Sequence, residues 1–192
     1  MIGPVLPPLP GKGTTMTGRN LLLPLLFSML LPTACAQDAT RRTPPPDTVQ
    51  RVDLTRYVGV WYEIARYPNR FQKECRASTA SYSIRDDGAI TVVNRCRTDS
   101  GDKEARGIAR VVDPATNARL RVSFFRPFYG DYWILDLGTD YEYAVVGTPD
   151  RKYLWILCRT PMMDTRLYGK LLEKIRGQGF DPDRLLLTGK VA

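Results

Sequence analysis

From about residue 60 onward, apolar and polar positions alternate in short runs, each ended by a turn signal, which is the signature of strands with one buried face. These runs lie near residues 60–67, 77–85, 90–96, 104–112, 118–125, 131–137, 142–147 and 153–159. Asp86-Asp87-Gly88, residues 113–117 and Gly138-Thr139-Asp140 make tight connections, and longer links at 68–76, 97–103 and 126–130 alternate with them. Strands that follow one another in this way predict an all-β fold, an antiparallel up-and-down barrel. Successive connections in such a barrel fall at opposite ends, so the long links gather at one mouth and the tight turns at the other. One parity of the second run, Ala77, Thr79, Ser81 and Ser83, is uniformly small, and it is expected to leave space inside.

Two segments depart from this period. Asp53 precedes Leu54-Thr55-Arg56-Tyr57 and can cap a single helical turn, after which Gly59 releases the chain into the first strand. In residues 164–178, Leu167, Leu171, Leu172 and Ile175 recur at helical spacing, with Arg166, Lys170, Glu173 and Lys174 facing away. One amphipathic C-terminal helix packed outside the barrel is expected there, ended by Gly177 and Gly179, with a short final strand within residues 183–187.

The first fifty residues read differently. Arg19 precedes an apolar run at 21–31, interrupted by Pro24 and Ser28, and Thr33-Ala34-Cys35-Ala36 follows. This is the three-part layout of a secretory signal, and the run is shorter than the roughly 20 residues that a membrane span needs. Residues 1–36 are therefore expected to form a signal-peptide region, with Met16 a better start than Met1. Residues 37–50, containing Pro44-Pro45-Pro46, are expected to form a semi-rigid linker, and residues 51–190 the barrel domain.

Three fragments far apart carry a resemblance to a known family: Gly59-Val60-Trp61, Thr139-Asp140-Tyr141, and Arg159 at the end of Tyr153-Leu154-Trp155-Ile156-Leu157-Cys158. Together they resemble the signature regions of the lipocalins. Residues 59–65, Arg85-Asp86-Asp87-Gly88, and the segments around Ser123-Phe124-Phe125 and Arg159-Thr160-Pro161 are similar to the bacterial outer-membrane lipocalins, relatives of apolipoprotein D. The resemblance implies an eight-stranded calyx around an apolar cavity, and a carrier rather than a catalyst. It also implies that Arg159 stacks on Trp61 at the closed end, so that Gly59, Trp61, Thr139, Asp140, Tyr141 and Arg159 are fold signatures and not binding residues.

Composition supports binding over chemistry. The chain has no histidine, which removes the commonest general base, the usual zinc ligand and imidazole-dependent triads. Glu63, Asp131 and Asp136 are dispersed, without the pairing that acid–base work needs, and Gly-rich phosphate loops are absent. No catalytic residue, metal or cofactor is expected. The net charge of +8 suits anionic lipid headgroups or a merely solvated basic surface, and no zinc-knuckle or Arg-rich block points to nucleic acid.

The ligand expected is a fatty acid, lysophospholipid or similar amphiphile, held by Phe124, Arg126, Phe128, Tyr129 and Tyr132. Arg70, Lys73, Arg76, Arg97, Lys103, Arg126, Arg151 and Lys152 on the long links are expected to form a positive rim. Cys75 and Cys96 fall at the same mouth and make a bridge the simplest arrangement in an exported protein, two reduced thiols being the alternative. Cys158 alternates with Arg159 and so is expected to point outward beneath the helix; a thiol-dependent lipid isomerase or peroxidase using Cys158 is the rival function, and an envelope barrel with a filled core is another. Cys35 admits two readings. Lipidation after cleavage before Cys35, by acyl chains of the palmitate type, would anchor the protein to the outer membrane. Against the lipobox pattern, Pro32 stands where leucine is preferred, with Leu31 one place early. The other reading is Ala34-Cys35-Ala36 as a cleavage site, which leaves a soluble periplasmic or secreted protein.

Overall fold

Alternation sends one parity of each run into a common interior and the other outward, and the eight runs become β1 (Gly59–Arg66), β2 (Ala77–Ile84), β3 (Ile90–Thr98), β4 (Gly101–Val111), β5 (Arg119–Phe125), β6 (Phe128–Leu137), β7 (Tyr143–Gly147) and β8 (Leu154–Cys158). The structure is a computed structural model that describes residues 43–192; the apolar run at 21–31, Cys35 and the start of the expected linker lie outside the described residues. Each strand pairs antiparallel with the next, and β8 pairs back onto β1, closing the barrel.

Two of the expected long links are tight. β3 runs to Thr98 and β4 starts at Gly101, and β5 ends at Phe125 with β6 starting at Phe128. The hydrophobic period fades before the strands do. At the rim the β3–β4 ladder continues through charged cross-strand partners, Arg95 with Glu104 at 2.9 Å and Arg97 with Asp102 at 3.9 Å, which hold a hairpin together without apolar side chains. The expected end-to-end sorting persists: residues 67–76, 99–100, 126–127 and 148–153 connect strands at the open end.

The parity expected to line the interior in β2 is the outer one. Trp61 pairs with Ala80, and Tyr62 with Thr79; since Trp61 belongs to the interior cluster, the inward residues are Ser78, Ala80 and Tyr82. Two of these three are also small, so the space survives the change of face.

Outside the barrel, Ile64, Leu135, Val145, Ile156 and Cys158 form a second core beneath α2 (Thr165–Gly177), which presents Leu171 and Ile175. The Asp164 side chain accepts the Leu167 N–H at 2.9 Å and caps the helix start. At its end Gly179, at φ +82°, lets its own N–H reach the Arg176 carbonyl and that of Phe180 the Ile175 carbonyl, a Schellman closure that a side chain at Gly179 would strain. Three short strands follow no readable period. β9 (Met162–Met163) pairs parallel with β11 (Lys190–Val191), and β10 (Leu186–Leu187), within the span expected for a final strand, pairs with the upper part of β1.

The last part of the expected linker is built into the barrel. Val49 N–H donates to the Ile134 carbonyl at 3.0 Å and Val52 N–H to the Thr116 carbonyl at 2.7 Å, Pro46 is buried, and Arg151 holds the Pro44 carbonyl at 2.6 Å. Val49 and Val52 then join the interior cluster at the closed end, just before α1 (Leu54–Tyr57), which Asp53 caps.

Candidate functional site

The closed end is organised by Arg159. Its guanidinium carbon lies 3.8 Å from the centroid of the Trp61 ring. Its nitrogens donate to the carbonyls of Arg56 (2.7 Å), Val60 (3.0 Å), Tyr57 and Tyr141 (both 3.2 Å). One cation thus satisfies the end of α1, the start of β1 and the β6–β7 turn while stacking on an aromatic face. Gly59 sits at φ +99°, and a Cβ there would stand 3.2 Å from Arg159 Nη1, so both backbone and space require glycine. In the β6–β7 turn the Thr139 carbonyl accepts from Arg56, Asp140 lies 3.9 Å from the same guanidinium, and the Tyr141 hydroxyl accepts the Asp53 N–H at 2.8 Å. These six residues build the base and none lines the cavity above it.

Above the base the barrel encloses a cavity of about 1130 Å³, opening between the β1–β2 and β5–β6 connections. That volume suits a drug-sized or single-chain lipid ligand. Its lower walls are apolar, with Ile90, Val92, Ala109, Leu120, Val146 and Leu157. Three phenols stand among them: the Tyr132 hydroxyl lies 2.7 Å from that of Tyr57 and 3.0 Å from that of Tyr82. Burial pushes Tyr82 up to about 12 and Tyr57 and Tyr132 well above the ordinary phenol range, so all three are neutral donors. Two hydrogen bonds consume two of their three protons, and the third hydroxyl proton is left to meet whatever occupies the cavity.

A second polar group lies higher on the wall. Glu63 faces inward with Trp61, and the bulge between Glu63 and Ala65 brings Arg66 to the same face, where the two, only 5% and 3% exposed, form an ion pair. Glu63 also accepts from Gln72 Nε2 (2.7 Å) and Thr188 Oγ1 (2.9 Å), while Arg66 donates to the Gln72 and Cys75 carbonyls, each at 2.9 Å. Trp155 Nε1 donates to Gln72 Oε1 at 3.0 Å. Buried charge is costly unless its hydrogen-bonding capacity is used, and here all but Arg66 Nε is used, fastening residues 67–76 across the mouth. The Cys75–Cys96 disulfide, spanning 21 residues, fastens the same segment to β3.

Of the side chains expected at the ligand, Phe124, Phe128, Tyr129 and Tyr132 line the cavity. Arg126 does not: it borders a shallow outer depression with Arg85, Arg106 and Ser123. The turn is so tight that Arg126 occupies its tip, at the rim but outside the cavity. The positive rim is also largely neutralised. Arg76 pairs with Asp99, Arg97 with Asp102, Lys103 with Glu74 and Lys152 with Asp150, and Arg151 is spent on the Gln178 and Pro44 carbonyls. Arg70, Lys73 and Arg126 make no ion pair among the described residues. Cys158 is buried under α2 with Thr160 Oγ1 3.4 Å from its sulfur, on the far side of the wall from the cavity. The sequence reading missed the Glu63–Arg66 pair, Gln72, Trp155, and Tyr57 and Tyr82. The one available signal was Glu63 and Arg66 three apart inside an otherwise apolar strand.

A closed calyx with a stacked Arg–Trp base and an apolar interior defines a class of small-molecule carriers. The profile of the lipocalin-like domain matches residues 52–190. The outer membrane lipoprotein Blc of Escherichia coli K12 is 40% identical over 172 residues, covering 86% of this chain and 95% of the relative. Temperature-induced lipocalin-1 of Arabidopsis thaliana is 38% identical over 151 residues, covering 74% and 81%. Among solved structures, insecticyanin from the tobacco hornworm Manduca sexta superposes with a TM-score of 0.61 at 20% identity, covering 75% of this chain and 84% of that one, a likeness of fold. The chain belongs to the lipocalin family. Its activity is the non-enzymatic binding of a small lipophilic molecule, and the open interior sets aside the filled-barrel alternative.

Proposed function

We propose that the protein takes up a fatty acid, lysophospholipid or similar single-chain amphiphile in the bacterial envelope, and that Cys35 carries the lipid anchor that keeps it at the outer membrane. The observation that carries the ligand reading is the cavity of about 1130 Å³ with apolar lower walls. A chain of about a dozen methylenes buried there at ~0.8 kcal/mol each gives a gross ~10 kcal/mol, enough for micromolar or tighter binding once association costs are met. Phe124, Phe128 and Tyr129 would contact the chain near the opening and Tyr132 deeper down. The anchor reading draws on Cys35 behind its apolar run and on relatives described as outer membrane lipoproteins.

Fluorescent fatty acid titrated into the purified protein should bind one-to-one and be displaced by lysophospholipid. Absence of displaceable binding up to the solubility limit would end the carrier reading. Intact mass of protein extracted from membranes reports the anchor separately: an unmodified chain beginning at Gln37 would replace it with a soluble envelope carrier.

A further inference from the structure

The open end carries an apolar surface that the barrel leaves largely exposed. Phe125 is 76% exposed, Phe128 70% and Phe71 60%, and all three belong to connections at the mouth. Phe125 and Phe128 stack across their turn with centroids 6.3 Å apart, and Phe71 packs on Tyr153 at 5.4 Å, so the rings are held at the rim, where they edge the cavity opening and stay largely exposed. Large aromatics on a solvent-facing tip mark an interaction surface. Three of the four rim cations without an ion pair among the described residues sit beside these rings in sequence: Arg70 precedes Phe71, Lys73 follows two places on, and Arg126 lies between Phe125 and Phe128. Elsewhere on the rim the cations are matched by acids or, at Arg151, by backbone carbonyls. Where the rings protrude, they are not.

We infer that the open mouth docks on an anionic phospholipid bilayer, with Phe71, Phe125 and Phe128 entering the headgroup–acyl boundary and Arg70, Lys73 and Arg126 meeting phosphates. Apolar tips flanked by unpaired cations are the chemistry that an interfacial layer of acyl chain beneath phosphate recognises. The described chain also starts on this side, its Pro44 carbonyl held by Arg151 of the β7–β8 connection, so a chain arriving from a membrane arrives beside the mouth. Docking sets the cavity opening against the phase from which a single-chain amphiphile comes. Its purpose rests on the carrier reading, whereas the docking itself does not.

The test uses the full chain carrying Cys35→Ala, so that no acyl anchor contributes, with no cavity ligand added. Co-sedimentation with vesicles of phosphatidylcholine and phosphatidylglycerol should show binding that weakens with salt and is much weaker on phosphatidylcholine alone. Phe71→Ser with Phe125→Ser should lower the partition coefficient by about a hundredfold or more, since each ring withdrawn forfeits more than the equivalent of one decade. Arg126→Glu should lower binding to the anionic vesicles by about fivefold or more and leave the phosphatidylcholine value alone. Phe128→Trp should report entry directly, through quenching by brominated lipid. No vesicle binding, or binding indifferent to the serine pair, overturns the proposal. So does a wild-type dimer that the serine pair dissociates without any vesicle binding, which would make the rim a contact between copies. Fatty-acid titration decides the carrier reading independently of all these outcomes.

Discussion

Arg159 and Trp61 concentrate the stability of the base in two side chains. Removing the guanidinium leaves four carbonyls short of a donor and uncovers an indole, so Arg159→Ala should cost about 3 kcal/mol or more in urea unfolding. Arg159→Lys should restore little, because an ammonium cannot spread across four acceptors and a ring face. Trp61→Ala should cost about 3–5 kcal/mol. The three phenols give a pH dependence. Their folded values are raised by burial, Tyr82 to about 12, against an unfolded value near 10. The folded state therefore retains protons that the unfolded state releases, and stability present below about pH 10 is lost as pH rises toward 12, at ~1.4 kcal/mol per pH unit for each phenol withheld. Tyr82→Phe should flatten that alkaline limb in a pH series of unfolding curves; an unchanged slope would mean the hydroxyls are not withheld. The Trp61 and Arg159 pairing was legible because each stands in a distinctive local motif. The phenols were not, since their hydroxyls meet across separations of 75 and 50 residues, which no local pattern encodes.

Among the elements, the β1–β2 connection bears the most constraints. The Cys75–Cys96 disulfide and the Glu63–Arg66–Gln72 group hold it from two sides. Closing a loop of this length contributes about 3 kcal/mol in the chain-entropy model, so Cys75→Ser with Cys96→Ser should lower stability by that order and weaken amphiphile binding in the titration. Cys158→Ser, by contrast, should leave that affinity unchanged because the thiol lies outside the wall; lost affinity would place it in contact with the cavity. Strand identities were legible from period two, and α2 from its apolar stripe between Asp164 and Gly179. Strand ends were not, because the β3–β4 ladder passes into charged pairs above the apolar girth. β9 and β11, two residues each, are too short to show a period at all.

At the scale of the molecule, the sequence motifs defined a calyx, but the inward face of β2 came out reversed because a one-residue difference in register exchanges every side chain. The identity of the inner face depends on the Trp61–Ala80 pairing, a fact of tertiary contact. Arg126 illustrates the same limit: its neighbours in sequence line the cavity while a tight turn carries it outside. The strap of residues that seals the base has a temporal consequence. Val49 bonds to Ile134 and Val52 to Thr116, so the segment made earliest of the described chain must wait for partners made much later. The first strand likewise has to await β8 before the ring can close. Loop closure of this span is slow relative to local hairpins, and the chain is synthesised N-terminus first. The calyx therefore passes through a stage in which the β2–β5 hairpins are complete while the barrel is open both at its seam and at its floor, its apolar lining bare to any chaperone that meets it.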